Sequence, residues 1–308
     1  AEEVSKESSD QSGLQLECKS AILMEQTTGQ VLYEMNADAP MPPASITKIM
    51  TLLLTFEAMD QGKFQYDTLL SCSEHAASMG GSQIWLEPGE EMTVDEILRA
   101  TFISSANDAA VVLAEAVAGS EDAFVGMMNE KAKELGMENT HFANATGLDA
   151  QEHYSTARDI ALMSAALLRY PDVTRYSTVW MDSLRGGTTE LVNTNKMVRF
   201  YNGATGLKTG TTNGAGSCLS ASAQRDNLSL IAVSLGSDTS AQRFASCRTL
   251  LDYGFANYVT VQPPSLQEQL TPVPVLHGVQ RQVDLAYDLP PSFVMKRGEE
   301  NSLTQEVE

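Results

Sequence analysis

Ser45 and Lys48 stand three residues apart at the head of an apolar run from Ile46 to Met59, in which Ile49, Met50, Leu52, Leu53, Leu54 and Phe56 cover nearly every side of a helix. Such a helix is predicted to lie buried in the middle of a domain. At this spacing the serine and the lysine share one helix face, and Ser45 falls on the first turn, where unpaired backbone N–H groups and the helix dipole favour developing negative charge. Lys48 is the only charge between Ser45 and Thr55. A buried amine loses proton affinity through desolvation, so Lys48 can serve as a neutral base beside a serine nucleophile. The same residues also fit a core helix whose lysine carries its charge out to water along its stem, and the four-residue motif by itself leaves both readings open.

Two further short motifs follow in order, Ser105-Ala106-Asn107 and Lys208-Thr209-Gly210. The elements that must position them can be read from the pattern. Residues 19–25 and 31–35 read as a hairpin around Gly29. Gln61 to Glu91 reads as irregular, and Thr93 to Glu96 as a capping box that opens a helix. The segment 102–108 breaks that helix, and helices are expected over 109–118, 121–135 and 160–168. The period then changes. Residues 207–211, 217–222 and 228–234 read as three strands joined by turns at Asn213-Gly214 and Asp226-Asn227, and 241–258 as a last amphipathic helix. Strands from both ends of the chain with helices between them imply an α+β fold, an antiparallel β-sheet covered by helices. Taken singly, Ser105 and Asn107 also fit a turn-and-cap pair, and Lys208-Thr209-Gly210 an edge strand with a glycine bulge.

Three stretches are expected: a polar tail over 1–17, one large domain over 18–258, and a proline-containing linker leading into part of a small β domain over 259–308, with strand-like runs at 282–286 and 293–296. The net charge of -20 excludes a nucleic-acid surface and disfavours direct adsorption to anionic lipid. No apolar run is long enough to cross a bilayer, and the start at Ala1, a small residue before a polar tail, fits a mature exported chain. Cys18, Cys72, Cys218 and Cys247 have no metal-ligand spacing and read as free, buried thiols, although two bridges are also open to them. His75, His141, His153 and His277 read as structural or surface residues. No metal site or phosphate loop is present in the pattern, so no cofactor is expected.

The trio of motifs, each in its expected context, resembles the signature of penicillin-binding proteins and serine β-lactamases. Longer strings, Ser104 to Ala110, His141 to Asp149, Ser155 to Asp159 and Gly206 to Gly210, closely resemble those of the low-molecular-mass D-alanyl-D-alanine carboxypeptidases, and the similarity spans about Lys19 to Tyr258. The resemblance implies a β-lactamase/transpeptidase-like fold and an acyl-enzyme on Ser45, formed from a peptidoglycan stem peptide ending in D-Ala-D-Ala. Lys48 then takes the hydroxyl proton, Ser105 relays a proton to the leaving amine, and Asn107 holds both Lys48 and the substrate. It further implies fixed positive charge from Lys208, a carboxylate contact from Thr209, and room for an added substrate strand at Gly210. Backbone N–H groups of Ser45 and Thr211 would form the oxyanion hole, and Arg243 would stand near the carboxylate pocket. β-Lactams are expected to act as covalent inhibitors, at the extracytoplasmic face of a bacterial membrane.

Two other functions share these motifs. A class A β-lactamase clears its acyl-enzyme with a glutamate in a Glu-x-x-Leu-Asn element between the second and third motifs. Glu134 and Glu138 come nearest, yet neither sits in such an element. A non-catalytic peptidoglycan or β-lactam sensor need not keep Lys48, Ser105 and Lys208 together. Family members usually continue through a complete β domain to an amphipathic membrane-bound helix. Peripheral membrane association through such a C-terminal anchor, which this chain lacks, is therefore also expected.

Overall fold

The computed structural model describes residues 13–262, 272–276, 281–285 and 292–302, in two units divided after Gly254. In the first unit, β1 (Ser20–Glu25) and β2 (Val31–Met35) form the expected antiparallel hairpin, with Leu23 opposite Tyr33. A 3-10 turn over Ala44–Thr47 runs directly into α1 (Lys48–Asp60). Ser45 therefore sits on a tighter turn just ahead of the α-helix rather than within its first turn. Every α1 residue from Lys48 to Phe56 is buried, and each large apolar side chain so enclosed contributes roughly 1.5–3 kcal/mol.

Between Gln61 and Glu91 the chain is more regular than expected. It forms β3 (Leu69–Ser71) and the single-turn helix α2 (Glu74–Ala77), and β3 pairs antiparallel with β4 (Glu91–Thr93). Strands of three residues carry too little alternation to be recognised from pattern. The capping box of Thr93 and Glu96 forms and opens α3 (Val94–Arg99), which passes into a π-helical turn at Ala100–Ser104. Helices α4 (Asn107–Ala118), α5 (Glu121–Glu134), α6 (Ala157–Leu167) and the short α7 (Val173–Ser177) follow. A second small hairpin, β5 (Met181–Leu184) with β6 (Thr189–Val192), and the single turn α8 (Met197–Phe200) lead to the long strands β7 (Ala204–Thr212), β8 (Gly216–Arg225) and β9 (Leu228–Ser237). Helix α9 (Ser240–Asn257) comes next.

The central sheet is antiparallel, in the order β2-β1-β9-β8-β7, so β7 and its Lys208-Thr209-Gly210 stand at an edge. Strands β8 and β9 are buried along most of their length because helices cover both faces. On one face Ser220 meets Ser164 of α6 at 2.8 Å. On the other, α9 lies so close that a Cβ on Gly254 would stand 2.5 Å from Leu230. In the second unit, β10 (Tyr258–Val261) pairs with β13 (Phe293–Lys296), and β11 (Val273–Pro274) with β12 (Gln282–Val283). The tail over 1–12, most of the proline linker, Ala286 and His277 lie outside the described residues.

One contact fixes where the serine turn sits. Gly147 has φ of +86°, and a Cβ there would fall 1.8 Å from the Ala44 carbonyl oxygen. Both the backbone conformation and the missing space demand glycine. Gly147→Ala is therefore expected to cost roughly 3 kcal/mol or more, since strain and overpacking add. Urea unfolding checks the stability, and labelling by a fluorescent penicillin should fall in parallel; an unchanged midpoint would show that the turn can shift at little cost.

Candidate active site

Lys48 is wholly buried, and its amine reaches three oxygens: Ser45 Oγ at 3.0 Å, Asn107 Oδ1 at 2.5 Å and the Thr146 carbonyl at 2.7 Å. Burial, and then the nearby charge of Lys208, hold its pKa well below the ordinary lysine value, while Asp108 acts in the opposite direction. The partners decide how a neutral amine must lie. The Asn107 and Thr146 oxygens can only accept, so they consume the two N–H bonds of a neutral amine. Its lone pair is then left facing Ser45, the one partner with a proton to give. The reading of Lys48 as a core residue snorkelling to water does not survive this geometry.

The second motif is held in place by irregular backbone. The π-helical turn ends on Ser105, whose φ is +63°, and α4 begins at Asn107. Ser105 Oγ is buried with no hydrogen-bond partner among the described residues, a cost that functional sites tolerate. Asn107 is tied on three sides. Its Oδ1 faces Lys48, its Nδ2 donates to Gly80 O at 2.6 Å, and its backbone N–H donates to Ser82 O at 2.7 Å. Asp108, also buried, accepts from the backbone N–H groups of Ile84 and Leu86, with Leu86 at 3.0 Å.

The third motif lies against the serine turn. A Cβ on Gly210 would stand 2.9 Å from Pro43 O and 3.0 Å from Ser45 N, so β7 reaches Ser45 only because this residue has no side chain. Lys208 is buried, with Thr209 O at a long 3.5 Å as its nearest hydrogen-bond partner. Its charge is not fixed, contrary to expectation: burial, helped by Arg243, brings its pKa down to about 7. Thr209 donates to Thr194 Oγ1 at 2.7 Å. Arg243 is in the site rather than at the surface, donating to Gly210 O at 2.9 Å and to Thr211 Oγ1 at 2.8 Å, with its Nε unpartnered. None of Lys48, Lys208 and Arg243 forms an ion pair with a carboxylate among the described residues. A chain with net charge -20 thus keeps two buried lysines and a buried arginine that no carboxylate among the described residues pairs with directly.

Several residues here had no role assigned to them from the sequence. Thr146 supplies Lys48's third partner, and Asn144 holds that loop by accepting from the Thr146 and Gly147 backbone N–H groups at 3.1 and 2.7 Å. His153, read as structural, borders the site. Its Nδ1 accepts from Ala143 N–H at 2.9 Å, which leaves the proton on Nε2 to be donated to Thr47 Oγ1 at 2.8 Å. Burial lowers its pKa to about 4, so this neutral form persists at physiological pH. All four cysteines are free; Cys72, Cys218 and Cys247 are buried, whereas Cys18 is partly exposed. No group of histidine, cysteine or carboxylate side chains fit to hold a metal occurs among the described residues.

The family model described as D-alanyl-D-alanine carboxypeptidase matches residues 5–239. The chain is 46% identical to the D-alanyl-D-alanine carboxypeptidase DacF of Bacillus subtilis, over 94% of this chain and 76% of that protein. It is 35% identical to DacA of Escherichia coli, over 92% of this chain and 72% of that one. Among solved structures, penicillin binding protein 5 from Haemophilus influenzae superposes with a TM-score of 0.83 at 29% identity, covering 94% of this chain and 85% of that chain. Penicillin-binding protein D2 from Listeria monocytogenes, in its ampicillin-bound form, superposes with a TM-score of 0.69 at 32% identity, covering 79% and 98%.

The pocket's electrostatics have two measurable consequences. Lys48→Arg keeps the positive charge but holds its proton at any accessible pH, so acylation by a β-lactam should fall about 100-fold or more; stopped-flow acylation rates that stay within a few-fold of wild type would contradict this. For Lys208 the sign follows from proton counting. Between about 7 and its ordinary value of 10.5, the unfolded chain binds a proton that the native state does not. Stability from this group therefore rises with pH across that window and is lost on going down through it. Denaturant unfolding of wild type against Lys208→Met should show the difference moving in that direction.

Proposed function

Because the chain belongs to the D-alanyl-D-alanine carboxypeptidase family, we propose that Ser45 is the residue it acylates and that Lys48, Ser105 and the β7 edge carry the rest of the cycle. The activity is that of the family, serine-type removal of the terminal D-alanine from peptidoglycan peptides. The observation that carries the assignment is the wholly buried Lys48 amine 3.0 Å from Ser45 Oγ, with Asn107 Oδ1 and the Thr146 carbonyl as its other partners. On attack, Ser45 Oγ bonds to the carbonyl carbon between the two D-alanines and its proton passes to Lys48. The oxyanion lies between the backbone N–H groups of Ser45 and Thr211, which the absent Gly210 side chain lets approach. The C–N bond then breaks. The unpartnered hydroxyl of Ser105 gives its proton to the departing amine and takes up the one that Lys48 received from Ser45, so D-alanine leaves and Lys48 is neutral again. Water attacks the ester with Lys48 again as base, which restores Ser45.

Selection of a free C-terminus rests on the unpaired bases. The terminal carboxylate meets Lys208, Arg243 and the Thr209 hydroxyl, groups that no protein carboxylate occupies. Asn107 keeps one amide N–H for the substrate, since its other donor is spent on Gly80. The substrate lies along β7 as an added strand. Glu134 and Glu138 are exposed, Glu134 pairing with Lys131 at 2.5 Å, so neither serves as the deacylating glutamate of a class A β-lactamase. Division after Gly254 is compatible with a catalytic domain followed by a smaller one. No helix among the described residues is long and apolar enough to cross a membrane. The substrate places the enzyme at the extracytoplasmic face, and peripheral attachment through a C-terminal segment belongs to the same proposal.

Intact-mass measurement with benzylpenicillin tests the assignment. Wild type should gain a lasting penicilloyl adduct and release D-alanine from diacetyl-Lys-D-Ala-D-Ala, while Ser45→Ala should do neither. An adduct retained by Ser45→Ala would move the nucleophile elsewhere. Rapid turnover of the penicillin without adduct would make the protein a β-lactamase, and an adduct without D-alanine release would make it a sensor.

A further inference from the structure

The loop that Asn107 and Asp108 hold carries a side chain the mechanism leaves unused. Trp85 is 75% exposed, and its φ of +58° is unusual for a bulky residue. Its neighbours Ile84 and Leu86 are buried, and both donate their backbone N–H groups to the wholly buried Asp108 carboxylate. A clamp on both sides turns the residue between them outward. The same loop gives the Gly80 and Ser82 carbonyls to Asn107, the residue that orients Lys48. The position of the indole is thus set by the catalytic motif itself.

Beside Trp85 is an open depression of about 600 Å³, lined also by Glu87, Pro88, Gly89, Glu90 and Arg185. Its charges are unequally engaged. Arg185 spends its guanidinium on Glu90, at 2.7 and 3.1 Å, and on the Ile84 carbonyl at 2.9 Å. Glu87 is exposed, and its carboxylate makes no hydrogen bond or ion pair among the described residues, acting on Arg185 only through space. What remains is an aromatic face next to one carboxylate that no side chain hydrogen-bonds, on a protein of net charge -20. That pairing suits a cation with an apolar stem, whose methylenes lie on the indole while the charge meets Glu87. A sugar would use the indole without needing the acid.

We propose that Trp85 and Glu87 form a subsite for the primary ammonium group of the stem-peptide residue that precedes the two D-alanines. The proposal rests on the Ser45 reading, because it places that residue relative to the scissile bond. The test compares Nα-acetyl-Lys-D-Ala-D-Ala with its Nα,Nε-diacetyl form, taking the ratio of their kcat/KM values for wild type, Trp85→Ala and Glu87→Gln. Acylation by benzylpenicillin, read on the same samples, reports on Ser45 independently. Wild type should favour the free amine by about three- to tenfold, the size expected of an exposed cation–π contact with an exposed ion pair, and both variants should bring the ratio close to one. A wild-type ratio of one with both peptides hydrolysed, or a preference that survives in both variants, overturns the subsite alone. Loss in Trp85→Ala but not in Glu87→Gln overturns the ammonium in favour of stacking. No D-alanine from either peptide overturns the Ser45 reading and this proposal together.

Discussion

Enclosing one amine in a dry helix is the interaction on which the rest of this structure depends. Lys48 loses its water entirely, so its charged form is penalised, and the cost is recovered by using the neutral amine as a base. That use requires the lone pair to point at Ser45, and the pointing is done by two oxygens from opposite sides, Asn107 Oδ1 and the Thr146 carbonyl. Each oxygen draws in a segment of chain. Asn107 anchors the 80–86 loop, while Thr146 belongs to the loop that Gly147 lets settle against Ala44. Two neighbouring hydroxyls continue the attachment, Thr47 of the serine turn bound to His153 and Thr51 of α1 to the Ala145 carbonyl at 2.7 Å. Segments distant in sequence thus meet at this one group.

The same dryness organises the charges. Lys208 lowers the proton affinity of Lys48, and Arg243 lowers that of Lys208, so the two lysines hold fewer protons than they would in water. Asp108 acts as the counterweight, favouring the charge that Lys48 takes up once Ser45 gives away its proton. An entering carboxylate would reverse the trend by bringing an anion to the β7 edge, raising the proton affinity of Lys208 when substrate is in place. Substrate binding and the protonation of the β7 edge are on this account one event.

How far this was legible in the sequence depends on how each residue acts. Ser45, Lys48, Ser105, Asn107 and Lys208 could be singled out because they lie in short motifs embedded in strongly patterned elements. The sheet and the long helices followed from periodicity and turn residues. The hairpins β3/β4 and β5/β6 did not, being too short for alternation to register. His153 and Thr146 were missed for another reason: one acts through a neutral imidazole and the other through a carbonyl, and a backbone oxygen leaves no trace in residue type. Lys208 was expected to hold a fixed charge because residue identity shows a lysine's ordinary proton affinity, not the burial and the neighbouring guanidinium that change it. Arg243 could be placed only by resemblance, since its partners lie on β7 and β8, far away along the chain.

The central claim is that Lys48 is neutral in the resting enzyme. The most direct measurement is NMR of protein labelled with 13Cε,15Nζ-lysine, titrated from pH 6 to 11 and compared with Lys48→Arg to assign the resonance. A neutral Lys48 would show one side chain with amine-type shifts at pH 8 that is absent from the variant, titrating well below the ordinary lysine range. An ammonium-type shift for Lys48 held up to pH 10 would contradict the account and require another base for Ser45.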